Sequence, residues 1–372
     1  MKRILFLIHD LGQGGAEKVL INLVNNMDRS KFDITVMTLF DIGVNKQFLS
    51  KDVHYKTVYK RVFPGNSHFM KLLTPMQLHK KYIKERYDIE VSYLEGPCAR
   101  IISGCKDKDT RIVTWIHREQ FNAKVASASF RSVAEAEKFY NKFNDIICVS
   151  ETVKNDFCKC LNIKVPVQVL YNTNETEKIR SLSEESVTDV DMHSNQIKLV
   201  GVGKLLTSKG FDRILSITKR LIENNYPVHT YILGIGPEES NLKEYAKANG
   251  IEDFVTLLGY QTNPYKYVRN CDLFVCASHA EGFSTAATEA LIVGTPVCTV
   301  EVSGMKEMLG DNNEYGVVTE NDDEALYQGI KSLLDSPELL KHYTEQAKLR
   351  GKDFSTENTV KAVEEMLTEL IK

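Results

Sequence analysis

Short apolar runs alternate with longer amphipathic stretches along most of the chain. Apolar runs of this length predict buried parallel strands, and apolar positions three or four residues apart predict helices that pack on them. Residues 16–27, with apolar side chains at 16, 19, 20, 23, 24 and 27, have the helical pattern. The strands predicted in the first half are Ile4–Ile8, Ile34–Leu39, Ile89–Leu94, Ile112–Ile116, Asp145–Val149 and Val167–Leu170.

The alternation restarts after a polar break at 175–196. Helical patterns at 211–224 and 323–334 accompany a second series of apolar runs. The strands predicted there are Ile197–Val202, Val228–Leu233, Phe254–Leu258, Leu273–Ala277 and Pro296–Val300.

Strand–helix alternation of this kind is typical of parallel sheets in α/β proteins, and here it occurs twice. The fold predicted is therefore α/β, with two Rossmann-like domains. We place them at 1–174 and 197–353, with a linker at 175–196 and a C-terminal helix in 354–372 that could cross back to the first domain. In such sheets ligands bind beyond the carboxyl ends of the strands, so the loops that follow the strands are where functional residues are expected.

Composition supports two domains and adds a charge asymmetry. The chain has 372 residues, 42% hydrophobic and 26% charged, which suits two soluble domains. Its net charge of −3 hides two opposite halves. Residues 1–175 contain 27 Lys/Arg and 19 Asp/Glu, whereas residues 176–372 contain 20 and 31. Because the two halves carry opposite net charge, we expect them to bind different partners.

Cysteine usage and hydropathy bear on the compartment. The eight cysteines include no Cys-x-x-Cys pair, and several lie in apolar runs, as buried free thiols do in a reducing compartment. No uncharged apolar stretch approaches the roughly 20 residues of a spanning helix. We expect a cytoplasmic protein whose membrane contact, if any, is peripheral.

Two loops of the second half carry glycines and lysines. Gly203, Lys204 and Lys209 follow its first strand, where two cations could neutralise a diphosphate. Gly234 and Gly236 follow its second strand. These two glycines either make a tight turn or let a flat nucleobase or ribose pack on bare backbone.

The most informative segment follows strand Leu273–Ala277. Ser284 or Thr285 can cap a helix whose free N–H groups attract an anion. Glu281 precedes that helix and Glu289 lies about one turn inside it. A carboxylate beside a diphosphate site is costly unless it binds hydroxyl groups, such as those of a sugar.

These residues resemble a known family. The spacing Glu281-x7-Glu289, the Glu281-Gly282-Phe283 start and the preceding Gly203-Lys204 and Lys209-Gly210 are similar to the retaining glycosyltransferases of family 4. Gly14 and Gly15, after the first strand, are similar to the N-terminal glycine loop of that family. The resemblance extends from Ile4 to about Gly316. The chain departs from the family pattern in two places, since many members have Arg at the position of Lys204 and Gly-Leu-Pro or a similar triplet near Ser284-Thr285-Ala286.

The resemblance implies a GT-B fold, in which two Rossmann-like domains face each other across a cleft, with no metal requirement. It implies that Lys204 and Lys209 neutralise the leaving diphosphate and that Glu289 binds the ribose. Glu281 and the amides of Gly282, Phe283 and Ser284 would contact the donor sugar. The full donor set expected is Gly14, Gly15, Gly203, Gly234, Gly236, Gly282, Phe283, Ser284, Thr285 and Glu289, with Glu281, Lys204, Lys209 and His117 as catalytic residues.

The first half offers the acceptor candidates. His117 ends strand Ile112–Ile116, and family members often have a His in this loop near the donor sugar. His9 follows the first strand and Glu95 follows Ile89–Leu94, so both could contact an acceptor. Each of these side chains could equally be hydrogen-bonded at a strand end without any contact to substrate.

A basic segment, defined as residues 56–86, has eight Lys/Arg and one Glu, interleaved with apolar residues. This composition suits an anionic membrane leaflet or a lipid-linked diphosphate acceptor, and also an ordinary solvated surface. No nucleic-acid recognition motif is present, so a nucleic-acid partner is not expected.

Two Asp-x-Asp strings, Asp107-Lys108-Asp109 and Asp189-Val190-Asp191, lie in polar breaks away from the donor motifs. We interpret them as solvated charge, and therefore expect neither a metal nor a cofactor.

The function predicted is retaining transfer of a hexose or N-acetylhexosamine from a nucleotide-diphosphate sugar, with UDP as the expected carrier. The acceptor expected is a glycan, lipid-linked, in capsule or other surface-polysaccharide assembly. A sugar-nucleotide epimerase, a phosphorylase and a non-catalytic sugar-nucleotide binder on the same fold are alternatives. A Rossmann dehydrogenase is disfavoured because Gly12-Gln13-Gly14-Gly15 breaks the GxGxxG pattern.

Overall fold

A computed structural model describes residues 1–12, 14–61, 70–192 and 195–372. The chain divides into two compact units. The first unit contains 1–174 together with 356–372, and the second contains 175–355.

The first unit is built on a parallel sheet with the order β3-β2-β1-β4-β5-β6-β7. Its central strands are buried along almost their whole length because the helices that connect most of the strands pack on the sheet. The strands are β1 (Lys2–Ile8), β2 (Phe32–Phe40), β3 (His54–Tyr59), β4 (Ile89–Ser92), β5 (Arg111–Ile116), β6 (Asp145–Cys148) and β7 (Val167–Val169). The helices for which bounds are described up to residue 174 are α1 (Gly15–Asn26), α2 (Pro75–Tyr82), α3 (Pro97–Ile102), α4 (Ala123–Ala126), α5 (Val133–Tyr140) and α6 (Glu151–Cys160).

The second unit repeats this plan with a parallel sheet of order β10-β9-β8-β11-β12-β13. Its strands are β8 (Ile197–Val202), β9 (Val228–Leu233), β10 (Val255–Gly259), β11 (Leu273–Cys276), β12 (Val297–Val300) and β13 (Val317–Thr319). Its helices are α7 (Thr176–Ser183), α8 (Phe211–Glu223), α9 (Glu239–Ala248), α10 (Tyr265–Arg269), α11 (Thr285–Val293), α12 (Met305–Leu309), α13 (Asp323–Asp335) and α14 (Pro337–Asp353). Helix α7 therefore occupies part of the segment that the sequence suggested as a linker.

The last helix, α15 (Thr356–Glu369), packs with the first unit. Glu364 accepts a hydrogen bond from the backbone N–H of Asp28 at 2.6 Å, and the guanidinium of Arg111 donates to the carbonyl of Leu370 at 2.9 Å. Val363 and Leu367 are buried on its inner face.

The predicted α/β fold with two Rossmann-like domains is confirmed, and every predicted strand is present within a residue or two of its expected ends. Two strands, β3 and β13, were not predicted. Both lie at sheet edges and are only partly buried, so they lack the continuous apolar run that marks a strand covered on both faces. No helix in the described ranges is long and apolar enough to cross a membrane.

Strand order determines where a site can form in each unit. The order reverses between β1 and β4 in the first sheet and between β8 and β11 in the second. Loops that leave neighbouring strands in opposite directions open a crevice at such a point, where α/β proteins bind ligands.

Candidate functional site

The loops expected to bind the donor follow β8, β9 and β11, three adjacent strands at the reversal point of the second sheet. The fold therefore gathers residues that lie up to about 85 positions apart in the sequence.

Lys209 and Glu281 are in direct contact. The Lys209 ammonium lies 2.6 Å from one carboxylate oxygen of Glu281, and the Ser278 hydroxyl donates to the same oxygen at 2.7 Å. Both side chains are partly accessible, with 29% and 11% of their surface exposed. The carboxylate is thus held by two donors while the pair stays open to a ligand.

Lys204 has a different environment. Its side chain is exposed, and the described residues offer it no hydrogen-bond or ionic partner. A cation with no internal partner at the end of β8 is available to an anion from solvent.

Glycines bring the donor loops together. A side chain at Gly234, whose φ is +145°, would place its Cβ 1.8 Å from the carbonyl oxygen of Gly203. At Gly210, where φ is +64°, the Cβ would lie 2.1 Å from the carbonyl oxygen of Ala277. The amide of Leu205 also donates to the carbonyl of Ile235 at 3.0 Å. The glycines therefore permit close approach of one loop backbone to another.

Helix α11 carries the remaining donor candidates. Ser284 is its N-cap, and its hydroxyl accepts a hydrogen bond from the backbone N–H of Ala287 at 3.3 Å. Thr285 begins the helix, and Glu289 is buried within it. Phe283 is also buried and makes an edge-to-face contact with Phe354, which fixes the chain entering the helix.

Arg213 supports this region and was not among the predicted residues. It is 4% exposed, and its guanidinium donates to the carbonyl of Ala277 at 3.0 Å, to Asn321 at 2.8 Å and to Asp323 at 2.6 Å. It thereby anchors the end of β11 just before Ser278. The sequence signal that could have found Arg213 is its position, because it is a charged residue beside the apolar face of α8 and lies three positions after Gly210.

In the first unit, His9 and Glu95 follow neighbouring strands at the reversal point. The imidazole of His9 lies 2.7 Å from the carboxylate of Asp10, which also accepts the amide of Gly12 at 2.7 Å. Gly14 is the N-cap of α1, and Gly15 begins that helix. Gln13, which precedes them, lies outside the described residues.

Glu95 and His117 meet at the ends of β4 and β5. One oxygen of Glu95 accepts the backbone N–H of His117 at 3.0 Å, and the other accepts the guanidinium of Arg118 at 3.2 Å. The ring of His117 packs 5.0 Å from that of Tyr93.

The imidazole of His117 has one unused polar atom. Its Nε2 is buried and has no hydrogen-bond partner among the described residues. Burial lowers the pKa of His117 to about 4, and a hydrogen bond with the backbone of Tyr93 opposes this only in part. The ring is therefore neutral at pH 7, which suits it to hydrogen bonding with a hydroxyl group rather than to carrying charge.

The basic segment is partly neutralised within the fold. Lys56, on β3, pairs with Glu85, and Arg86 pairs with Asp107 and Asp109 at 2.9 and 2.7 Å. Leu72 is 74% exposed. Residues 62–69 of this segment, including two of its aromatic side chains, lie outside the described residues.

Two family models match consecutive parts of the chain. Residues 13–178 match the family described as Glycosyltransferase Family 4, and residues 184–350 match Glycosyl transferases group 1. A relative from Campylobacter jejuni, N-acetylgalactosamine-N,N'-diacetylbacillosaminyl-diphospho-undecaprenol 4-alpha-N-acetylgalactosaminyltransferase, is 28% identical over 95% of this chain and 96% of its own. The lipopolysaccharide core biosynthesis glycosyltransferase LpsD of Rhizobium meliloti is 23% identical over 89% of this chain and 88% of its own. The chain is a glycosyltransferase whose two halves match these two glycosyltransferase families.

Solved structures agree on the fold of this glycosyltransferase. Anabaena HepE in complex with UDP-glucose matches with a TM-score of 0.79 at 17% identity, over 99% of this chain and 100% of that one. The complex of the same protein with UDP and glucose gives 0.80. The GT-B architecture inferred from the sequence is thereby confirmed.

The donor loops of the glycosyltransferase contain no group of three metal-ligating side chains among the described residues. Asp107 and Asp109, one of the two Asp-x-Asp strings, both bind Arg86. Asp189 of the other string accepts the hydroxyl of Tyr267. What the donor loops offer an anion is Lys204, Lys209 and the first turn of α11.

Proposed function

We propose that this glycosyltransferase moves a hexose or N-acetylhexosamine, with retention, from a nucleotide-diphosphate sugar to a lipid-linked glycan. The observation that carries the proposal is the meeting of Lys209, Glu281 and the N-terminus of α11 at the reversal point of the second sheet. UDP is the nucleotide we favour, because the related HepE fold has been solved with UDP and with UDP-glucose.

The chemistry follows from the charges. As the bond between the sugar and the diphosphate lengthens, negative charge grows on the leaving group. Lys204 and Lys209 would bind that charge more strongly in the transition state than in the ground state, and the free N–H groups of α11 would add to this. Glu281, held by Lys209 and Ser278, would accept hydrogen bonds from sugar hydroxyls.

A diphosphate neutralised in this way needs no divalent cation, so we propose that transfer is metal-independent. The second half is acidic as a whole, with 20 Lys/Arg against 31 Asp/Glu. The leaving group must therefore be bound by these particular cations and by the helix end, since no general positive field is available there.

The acceptor would be bound by the first unit. The unpaired Nε2 of His117 is the group best suited to a hydroxyl, and His9 and Glu95 end neighbouring strands of the same sheet. The Campylobacter relative acts on a diphospho-undecaprenol-linked acceptor, which supports a lipid-linked acceptor here. The exposed Leu72 and the surface lysines of the basic segment would then lie against the inner membrane leaflet, as a peripheral contact of a cytoplasmic protein.

Turnover of UDP-sugars by single variants tests the donor site. Lys209→Ala and Glu289→Ala should each lower transfer about tenfold or more, the scale expected when one charged hydrogen bond to the transition state is removed. Lys243→Ala is the matched control, because its ion pair with Glu239 is also 2.6 Å long but lies on the exposed face of α9. The UDP formed should be measured by chromatography, and the anomeric configuration of the transferred sugar should be determined by NMR.

Three outcomes would contradict the proposal. Normal turnover by Lys209→Ala would remove the assigned role of that lysine, and an inverted product would exclude retention. Failure of uridine, guanosine and adenosine diphosphates alike to raise the melting temperature would exclude the donor site itself. Metal independence predicts that adding Mg²⁺ after chelation changes turnover by less than about twofold.

A further inference from the structure

Three potential metal ligands converge in the first unit, away from the candidate site. A ring nitrogen of His79, a carboxylate oxygen of Glu90 and the Sγ atom of Cys105 all lie within 4.8 Å of one another. His79 and Glu90 are in direct contact at 2.7 Å. Glu90 is 2% exposed, whereas His79 and Cys105 are partly accessible.

Three separate elements hold these ligands. His79 lies on α2, Glu90 on β4, and Cys105 in the turn that follows α3. The turn is pressed against α2, because a Cβ at Gly104 would lie 2.0 Å from the carbonyl oxygen of Pro75. Glu90 is fixed by parallel pairing of β4 with both β1 and β5. The side chains are thus brought together by packing of rigid elements, as a pre-organised metal site requires.

The separations are close to those of a zinc site. Tetrahedral zinc with the usual bond lengths keeps nitrogen, oxygen and sulfur ligands roughly 3.3–3.8 Å apart. Reaching that geometry needs His79 and Glu90 to part by roughly 0.6 Å and the thiol to approach by up to about 1 Å, both within the range of side-chain adjustment. Cys105 is partly exposed, which leaves a path for the ion, and a water from solvent would complete the four ligands.

Charge balance also suits a divalent metal. A buried carboxylate requires a compensating cation, and Glu90 is buried beside His79. Zn²⁺ bound by a neutral imidazole, the Glu90 carboxylate and a Cys105 thiolate would leave the cluster without net charge.

We propose that His79, Glu90 and Cys105 form a zinc-binding site that joins α2, β4 and the turn after α3. The site lies toward the beginning of β4, whereas Glu95 and His117 lie beyond the carboxyl ends of β4 and β5. Its role is therefore to stabilise the first unit, and it is independent of the proposed transfer chemistry.

The test measures zinc binding by the full chain. The protein is purified in the presence of a chelator and kept in a phosphine reductant, and its zinc affinity is determined by competition with a chromophoric chelator. Wild-type protein should bind one Zn²⁺ per chain. Cys105→Ser and Glu90→Gln should each weaken zinc binding about 100-fold or more. Changes to groups that only orient a metal ligand typically weaken metal binding about 10–100-fold, so a larger loss indicates that the residue itself binds the ion. Zinc should also raise the melting temperature of the wild-type protein, roughly 5 °C at saturation, and not that of Cys105→Ser.

Cys158→Ser is the matched control, because Cys158 is an exposed thiol on α6 outside the cluster. It should bind zinc as the wild type does. Cobalt gives a readout that does not depend on the variants' stability: the wild type and Cys158→Ser should show thiolate-to-cobalt charge-transfer absorption. Absence of that band in the wild type, absence of one-to-one zinc binding, or equal affinity in Cys105→Ser would each overturn the proposal.

Discussion

At the scale of single residues, His117 shows how burial changes the protonation state of a side chain. It follows β5, its backbone N–H is held by Glu95, and its ring lies in contact with Tyr93. A histidine in this loop could be anticipated from the sequence, but its neutral state could not, because that depends on how deeply neighbouring strands bury the ring. The low pKa makes His117 a hydrogen-bonding group and unsuitable as an imidazolium at neutral pH.

This environment predicts a pH dependence of stability. The folded pKa of His117, about 4, lies below the ordinary value of 6.5, so the unfolded chain binds its proton first. The contribution of His117 to the free energy of unfolding is fully present above pH 6.5 and is lost as the pH falls toward 4. In metal-free buffer, the melting temperature of wild-type protein should fall more steeply over that range than that of His117→Gln. Parallel curves for the two proteins would show that burial of the ring does not control its protonation.

At the scale of elements, α11 departs from the usual amphipathic pattern. It is buried nearly all round, with Ala287, Ala290 and Leu291 inside, since β11 lies on one side and α14 on another. The contact with α14 is close: a Cβ at Gly351 would lie 2.4 Å from the carbonyl oxygen of Leu291. Small residues let the helices approach, and this packing fixes where Ser284 and Glu289 stand.

Enlarging Gly351 tests whether that packing positions the site. Gly351→Val should push α14 from α11 and cost about 1–3 kcal/mol of stability, as overpacking does. It should also weaken UDP binding, although residue 351 is not among the proposed donor residues. The measurements are chemical denaturation and calorimetric titration with UDP. Lys352→Val, at the exposed position next to Gly351 on α14, controls for the general cost of placing a valine in this helix. Unchanged UDP affinity in Gly351→Val would mean that α11 is fixed by other contacts.

At the scale of the whole molecule, the chain forms two units whose boundaries are not contiguous in sequence. Helix α15 follows the second unit along the chain but contributes to the first. Glu364 contributes two contacts to this attachment, since it accepts a hydrogen bond from the amide of Asp28 at 2.6 Å and pairs with Lys31 at 3.2 Å. The first unit is therefore complete only when residues 356–372 are present.

Glu364→Ala should destabilise the first unit by roughly 1–3 kcal/mol, because the Asp28 amide loses its acceptor. Hydrogen exchange with mass spectrometry reads the two units separately. Deuterium uptake should rise in peptides around 26–32 and along α15, and should not change in 175–355. Glu365→Ala, on the same helix but in an exposed 3.9 Å ion pair, is the control. Equal uptake in both variants, or a change confined to the second unit, would contradict this assignment.

The sequence by itself determined the fold class and the loops that contain the candidate donor residues. Central parallel strands are covered on both faces, so they appear as continuous apolar runs that can be located without a structure. The edge strands β3 and β13 lack that coverage and were missed. Motif spacing also marked Glu281, Glu289 and Lys209 as a related set, since loops after parallel strands share one edge of a sheet.

Only the tertiary structure decided which side chains touch. The ion pair of Lys209 with Glu281, the anchoring of β11 by Arg213 and the cluster of His79, Glu90 and Cys105 all join different elements. Such contacts depend on strand order, on close approach at glycines and on the depth of burial. These are properties of the packed chain, because local sequence sets the periodicity of an element but not the neighbour against which it packs.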